Sequence, residues 1–447
     1  MTRLIYSLLL FVILFLFSCN KDEPKKVPPK AVKGVLDLRP SAHSAGSVQA
    51  SLREQPILLE DNQNGRMVSG VEPWNFEKDG VINLDGEWEF YWNEFLYSGL
   101  QPTVQPVGDP LSRTPNYIPV PGNWNQFADN GKPVGSNGYA TYRLRILLPK
   151  LNTSLAFKIL NASTAYTMYV NGEKFASNGS VGKDKDTSIP QSLSVISSIH
   201  NSKEELEIIF HVSNFHYSKG GLWLPINIGN EKAVREIRDK NLFLDIFLSG
   251  SILIMGLYHL VIYIQRKQDK SPLLFGIYCF IIVVRLLSTG EKYLTTIFPE
   301  IPFQLLIKIE YISFYLAVPI FSHFLYTIFP REVKEKILKF IWAIGILFAI
   351  SVIVTSTEIF TRTVNAYQIL TLFSLLYFLF IIGLAIFRKR EGSKTIFVGC
   401  LIIIIGVVND ILYNRNILST GNIFPQCLLG FTFFQSIMLS MRFSRSF

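Results

Sequence analysis

The stretch LFLDIFLSGSILIMGLYHLVIYI, residues 242–264, decides the fold of this 447-residue chain. A bilayer core about 30 Å thick is crossed by roughly 20 apolar residues in helical form. This run has that length and holds one acid, Asp245, and one histidine, His259. Six comparable runs follow at 273–289, 305–329, 337–355, 363–387, 395–412 and 425–441. Apolar runs in soluble cores break sooner, so residues 242–441 are expected to form an all-α bundle of seven transmembrane helices. The overall composition, 49% hydrophobic and 17% charged, fits a chain about half in the membrane.

The short loops orient the bundle, because Lys and Arg collect on the cytoplasmic side. Arg266, Lys267 and Lys270 follow the first run, and Arg331, Lys334, Lys336 and Lys339 follow the third. Arg388, Lys389, Arg390 and Lys394 follow the fifth, and the tail, 442–447, adds Arg442 and Arg445. The opposite loops carry only Lys292, Arg362 and Arg415. The N-terminal part is therefore expected outside a bacterial inner membrane, and the C-terminus in the cytoplasm. The net charge of +9 follows from this topology and requires no nucleic acid as partner.

At the N-terminus, Arg3 precedes an apolar run over 4–17 that is short for a spanning helix. It ends Leu16-Phe17-Ser18-Cys19, which resembles a bacterial lipobox and makes 1–19 a signal peptide and Cys19 the lipidation site. Phe17 is bulkier than that motif usually has, and the alternative is an uncleaved signal anchor. Residues 20–70 read as a linker and insertion, mostly disordered, first rich in Pro and Lys and then in Ser, Ala, Gly and Asn. Within it, 35–38 has the pattern of a short strand. Cys279, Cys400 and Cys427 all fall in the hydrophobic runs, so the exported part is expected to hold together without disulfides. No Cys/His cluster offers a metal site and no cofactor motif is present. With no HExxH, GxSxG or phosphate loop, no catalytic residues and no enzyme activity are expected.

Over 71–230 the hydrophobic period changes to two, the mark of half-buried strands. Trp88, Phe90 and Trp92 share one face, opposite Glu87, Glu89 and Tyr91. Tyr142, Leu144 and Ile146 alternate with Thr141, Arg143 and Arg145, and Leu206, Ile208, Phe210 and Val212 with Glu205, Glu207, Ile209 and His211. Asn171-Gly172 has the chemistry of a two-residue hairpin turn. An all-β sandwich is expected here, large enough for its own core. Residues 231–241 are read as a juxtamembrane linker.

Two sets of residues invite a functional reading. In the β region, Trp124, Tyr139 and Trp223 offer rings for a sugar, with Asn125 and His216 as hydrogen-bonding partners; the structural alternative is that they are core and turn residues. In the hydrophobic runs, Arg285, Lys308, Glu310, Asn409 and Asp410 are costly in lipid unless paired. Counted at ~1.5 Å per residue, they share a depth about 8–12 Å below the outer surface. One polar cluster is expected, with Arg285 paired to Asp410 or Glu310, either relaying movement or holding the bundle statically.

Several motifs carry a resemblance. LDGEWEFYW (84–92), VPGNW (120–124), GYATYR (138–143), YVNGE (169–173) and GGLW (220–223) are similar to the jelly-roll sugar-binding domain of β-galactosidase-type glycoside hydrolases. Their catalytic barrel has no counterpart here, so hydrolase chemistry is not implied. The whole arrangement resembles the bacterial seven-transmembrane receptors with diverse intracellular signalling modules. Gly256-Leu257-Tyr258-His259, Arg285, Glu310-Tyr311, Phe329-Pro330, Asn409-Asp410 and Leu439-Ser440-Met441-Arg442-Phe443 carry that likeness. It implies an exported sensing domain, seven spans and a cytoplasmic kinase, cyclase or phosphatase; this sequence stops at Phe447, where the family continues into its output module. The expectation is a receptor for a carbohydrate-like or other small ligand, acting through a cytoplasmic signalling protein. Homodimerisation suits such a receptor, although no residue specifies it. The alternatives are a membrane transporter, disfavoured by the lack of an internal repeat, and a passive glycan-binding envelope lipoprotein.

Overall fold

The protein is described from a computed structural model that covers residues 26–40, 73–96, 115–150, 153–160, 162, 164–201, 203–390, 392–414, 418, 420–421 and 423–444. Cys19 and the signal segment, the 41–70 insertion, Arg415 and Arg445 lie outside the described residues.

The N-terminal region is mostly β. A seven-stranded sheet runs in the order β10 (Glu173–Asn178), β9 (Ala165–Val170), β12 (Glu205–Asn214), β7 (Gly138–Leu147), β3 (Gly86–Trp92), β4 (Asn116–Val120), with β1 (Val35–Asp37) parallel to β7. A four-stranded sheet runs β11 (Val195–Asn201), β8 (Thr153–Ile159), β13 (Ile226–Asn230), β2 (Ile82–Asn83). A hairpin of β5 (Ala128–Asp129) and β6 (Lys132–Pro133) stands apart from both.

The period-two pattern is what joins the two sheets. Side chains two apart on a strand share a face, and Tyr142, Leu144 and Ile146 lie opposite Phe210, Ile208 and Leu206, all fully buried. Leu155, Phe157 and Ile159 of β8 and Ile226 and Ile228 of β13 enter the same core from the second sheet. Fully burying each such side chain contributes about 1.5–3 kcal/mol. The Asn171-Gly172 turn joins β9 to β10 with φ of 51° and 86°, the positive values this hairpin requires.

Two boundaries move. The short strand read at 35–38 is present as β1 along β7, and residues 31–34, placed by composition in the linker, join it at the sheet, with Ala31, Leu36 and Leu38 buried in the core. Residues 231–241 are the first turns of a helix rather than a linker. The Asn230 side chain accepts from Lys232 N, and Glu231–Arg235 and Lys232–Glu236 pair one turn apart.

Among the described residues seven long helices follow: α1 (Glu231–Gln265), α2 (Ser271–Ser288), α3 (Phe303–Ile328), α4 (Glu335–Val354), α5 (Val364–Phe387), α6 (Ser393–Asn414) and α7 (Phe424–Ser444). Among the described residues, six helical segments are long and apolar enough to cross a membrane. Only 28% of the α4 window and 33% of the α1 window is buried within the protein. Phe243, Ile254 and Ile264 on α1 and Phe340, Leu347 and Ile353 on α4 point outward. A soluble protein does not expose such a belt, so a bilayer is what covers it.

Close helix approach depends on small residues. A Cβ on Gly256 of α1 would lie 3.0 Å from Cys279 Cβ, and one on Gly276 of α2 would lie 3.1 Å from the Gly256 carbonyl oxygen. Gly256→Leu is therefore expected to push α1 and α2 apart and cost about 1–3 kcal/mol. Denaturant unfolding in micelles checks this, and an unchanged midpoint would refute the contact.

Candidate functional site

The five ring and hydrogen-bonding residues proposed for ligand binding do not converge. Trp124 is 0% exposed: its ring packs among Phe90, Trp92 and Tyr142, and Nε1 donates to the Ser136 carbonyl at 3.2 Å. The VPGNW motif makes a tight turn, capped by Asn123, that turns the indole inward. Trp124 is thus a core residue, which corrects its reading as a stacking platform for a sugar. Tyr139 faces away from that core and packs on Phe95 at 4.8 Å. Beside it His211 is 1% exposed, and burial lowers its pKa.

The other three gather around residues 214–223. Asn125 donates to the Ser218 carbonyl at 2.8 Å and accepts from Gly220 N at 3.0 Å. His216 Nε2 donates to the Ser188 carbonyl at 3.1 Å. Trp223 stacks parallel to Tyr217, with rings 6.1 Å apart, and Lys219 Nζ sits 5.6 Å above the indole. Asn214 holds the turn from within, donating to the carbonyls of Ser136 and Tyr217 at 2.8 Å.

That segment also meets the helices. Tyr217 and Tyr311 of α3 share a hydroxyl–hydroxyl hydrogen bond of 3.1 Å, and Ser218 N donates to Thr361 Oγ1 at 3.2 Å. Next to it Asn137 donates to Glu358 at 3.2 Å, and Glu358 pairs with Arg362 at 2.9 Å. Burial, with the charge of Glu310 adding to it, raises the Tyr217 pKa, so the phenol remains protonated.

A second contact is ionic. Lys158 of β8 pairs with Glu291, in the loop between α2 and α3, with side chains only 2% and 5% exposed. Ser194 donates to the same carboxylate at 3.1 Å and Asn241 of α1 at 3.3 Å. Lys292 donates to Ser192 Oγ, and burial pushes its ammonium pKa below the ordinary lysine value. Glu291 N donates to Asp245 at 3.4 Å, which brings the acid of the first apolar run to this joint. Charges removed from water need this density of partners.

The five intramembrane polar residues fall into three separately bonded groups. Arg285 Nη1 donates to the main-chain carbonyl of Glu310 at 3.0 Å, and its guanidinium lies 4.9 Å from the Phe314 ring. Arg285 thus bonds a carbonyl and faces an aromatic ring, while the charges of Glu310 and Asp410 act on it without a direct bond among those described. Lys308 Nζ bonds the Ile353 carbonyl at the end of α4, where helix carbonyls lack amide partners. Asp410 accepts from Ile423 N at 2.8 Å and Phe424 N at 3.3 Å, capping the free amides of α7. Asn409 bonds the Gly421 carbonyl at 2.8 Å and accepts from Thr420 at 2.5 Å.

Reading the sequence missed Lys158, Glu291 and Tyr217. One signal was available for the lysine: Lys158 stands in the strand TSLAFKI, where both faces are apolar around it. The partner could not be read, since 133 residues separate Lys158 from Glu291.

Residues 241–445 match the sequence model of a family described as 7TM diverse intracellular signalling. No curated protein matches the chain. Among solved structures, a β-glucuronidase from Ruminococcus gnavus in complex with an N1-substituted uronic isofagomine aligns at 16% identity, covering 34% of this chain and 29% of that enzyme, with a TM-score of 0.25. A GH2 β-galacturonidase from Eisenbergiella tayi bound to galacturonate aligns at 13% identity over 34% and 24%, with a TM-score of 0.24. This chain therefore spans less than a third of either enzyme, and the likeness is partial and distant.

Proposed function

We propose that this chain is a non-catalytic membrane receptor whose exported β-domain takes a carbohydrate-like or other small ligand and whose helices relay the event to a cytoplasmic signalling partner. The joint is the observation that most supports this reading. Segment 214–223 is bonded on one side to candidate ligand residues and on the other to Tyr311 and Thr361. A ligand engaging Trp223 or His216 acts directly on the element that touches the helices. A passive anchor needs neither this joint nor a buried ion pair between domain and bundle. In the same reading the two sheets form a jelly-roll-like sandwich and seven helices span a bacterial inner membrane. The Arg- and Lys-rich loops lie in the cytoplasm, and Cys19 carries the lipid.

The test is thermal unfolding of the full chain in lipid nanodiscs against envelope sugars and small metabolites. A ligand at ~100 times its dissociation constant adds about 2.7 kcal/mol of stability. The expected result is a specific shift that Trp223→Ala abolishes while leaving the unliganded midpoint nearly unchanged. A flat response across the panel overturns the small-ligand reading, and ligand-driven flux into liposomes replaces it with a transporter.

A further inference from the structure

Within α3, Pro319 has no N–H, so the carbonyl four residues earlier, that of Tyr315, loses its helical donor. The structure supplies a donor from elsewhere: Tyr367 of α5 gives its hydroxyl to that carbonyl at 2.5 Å. A residue without a side chain lies over the proline ring, because a Cβ on Gly345 of α4 would come 2.7 Å from Pro319 Cγ. One turn beyond the proline, Ser322 bonds back to the Val318 carbonyl at 2.7 Å, a contact that itself bends helices.

The same two segments are tied at both ends as well. Towards the β-domain, residues 217 and 218 grip Tyr311 of α3 and Thr361, just ahead of α5. Tyr315 reaches Thr363 at 2.7 Å just below. At the far end, Glu332, after α3, accepts from Arg390 at 2.8 Å and pairs with Arg388 at 3.5 Å, both after α5. The Glu332 side chain is 1% exposed. Three ties at three depths therefore fix one helix pair, with the middle tie at a proline.

We infer that α3 and α5 form the transmission unit of the bundle, with the Tyr367–Tyr315 carbonyl bond as a hinge clasp coupling segment 217–218 to the Glu332–Arg390 latch. This rests on the receptor reading for its purpose, while its physical content is a coupling along α3 from Tyr311 to the helix end at Ile328, about 26 Å at ~1.5 Å per residue. Moving residues 217 and 218 changes the offset between α3 and α5. The clasp then either holds, carrying the offset to the far end, or opens, letting α3 bend at Pro319.

Hydrogen–deuterium exchange on the full chain in phosphatidylcholine–phosphatidylglycerol nanodiscs, without ligand, tests this. Tyr217→Phe removes one hydroxyl and keeps the ring. Exchange in 329–334 is expected to rise about fivefold, the shift one ordinary hydrogen bond carries, while 266–270 stays unchanged. Coupling is reciprocal, so Glu332→Gln is expected to speed exchange in 214–220. In a Tyr367→Phe background, Tyr217→Phe should no longer reach 329–334. Local exchange that rises at the altered end and nowhere else overturns the inference. Coupling without any ligand response would refute the receptor reading alone; a ligand response with no coupling between the ends would refute this inference alone.

Discussion

Glu291→Gln is expected to weaken the seating of the β-domain on the helices by about 3–5 kcal/mol. The substitution keeps the size of the side chain and leaves the Lys158 ammonium buried with no acid in contact. An isolated charge in such a site costs far more than a hydrogen bond returns. The effect should fall toward the lower figure, because Asp245 accepts from Glu291 N and stays close to the lysine. Five of the six tryptophans, all but Trp342, lie in the β-domain, so tryptophan fluorescence during denaturant unfolding of the nanodisc-held chain follows this region. Removing both charges with Lys158→Met and Glu291→Leu should recover most of the loss, since a buried pair replaced by apolar groups is often neutral. A loss below about 1 kcal/mol for the single change would mean that water reaches the pair.

The second large effect is at Trp124. Trp124→Ala is expected to cost about 3–5 kcal/mol, because it removes a fully buried indole and leaves a cavity among Phe90, Trp92 and Tyr142. It also strands the Ser136 carbonyl of its indole donor, although Asn214 still bonds that oxygen. Trp223→Ala should cost less, since that ring is only partly buried and stacks on one neighbour. Unfolding midpoints of the two variants decide the matter. Equal losses would show that Trp124 is less deeply set than the structure has it. A lost sugar response in Trp124→Ala would report a damaged core, so Trp223 is the residue on which binding should be tested.

Periodicity made most of the architecture legible, because burial of one face acts on residues two or three to four apart. Apart from α1, which starts at Glu231 rather than 242, the apolar runs and the helices agree to within a few residues, and the alternating strands put Trp88, Phe90, Tyr142 and Phe210 in the core as expected. The joint was not legible in the same way. Lys158 meets Glu291, and Tyr217 meets Tyr311, only after a whole domain has folded between them. The polar residues of the helices were found, and the charges of Glu310 and Asp410 do act on Arg285, but the groups they bond were not legible. Asp410 is satisfied by amides at the start of α7 and Lys308 by a carbonyl at the end of α4. Helix ends offer unpaired groups at every span boundary, and counting charges alone does not reveal them. Of the two readings open for Trp124 the core one holds, and the sequence could not choose between them, since an indole in a turn motif looks the same on paper whether it points in or out.

Asn230 ends β13 and caps α1, and no free residue stands between sheet and helix. The two are therefore set in a fixed phase, as a blade is on its shaft. Each residue of helix turns by about 100°, so a single residue added after Asn230 would swing the β-domain about a quarter turn around the α1 axis. Lys158 would then be turned away from Glu291. The length of this join sets the angle at which the domain stands over the bundle, and with it the alignment of segment 217–218 on Tyr311 and Thr361.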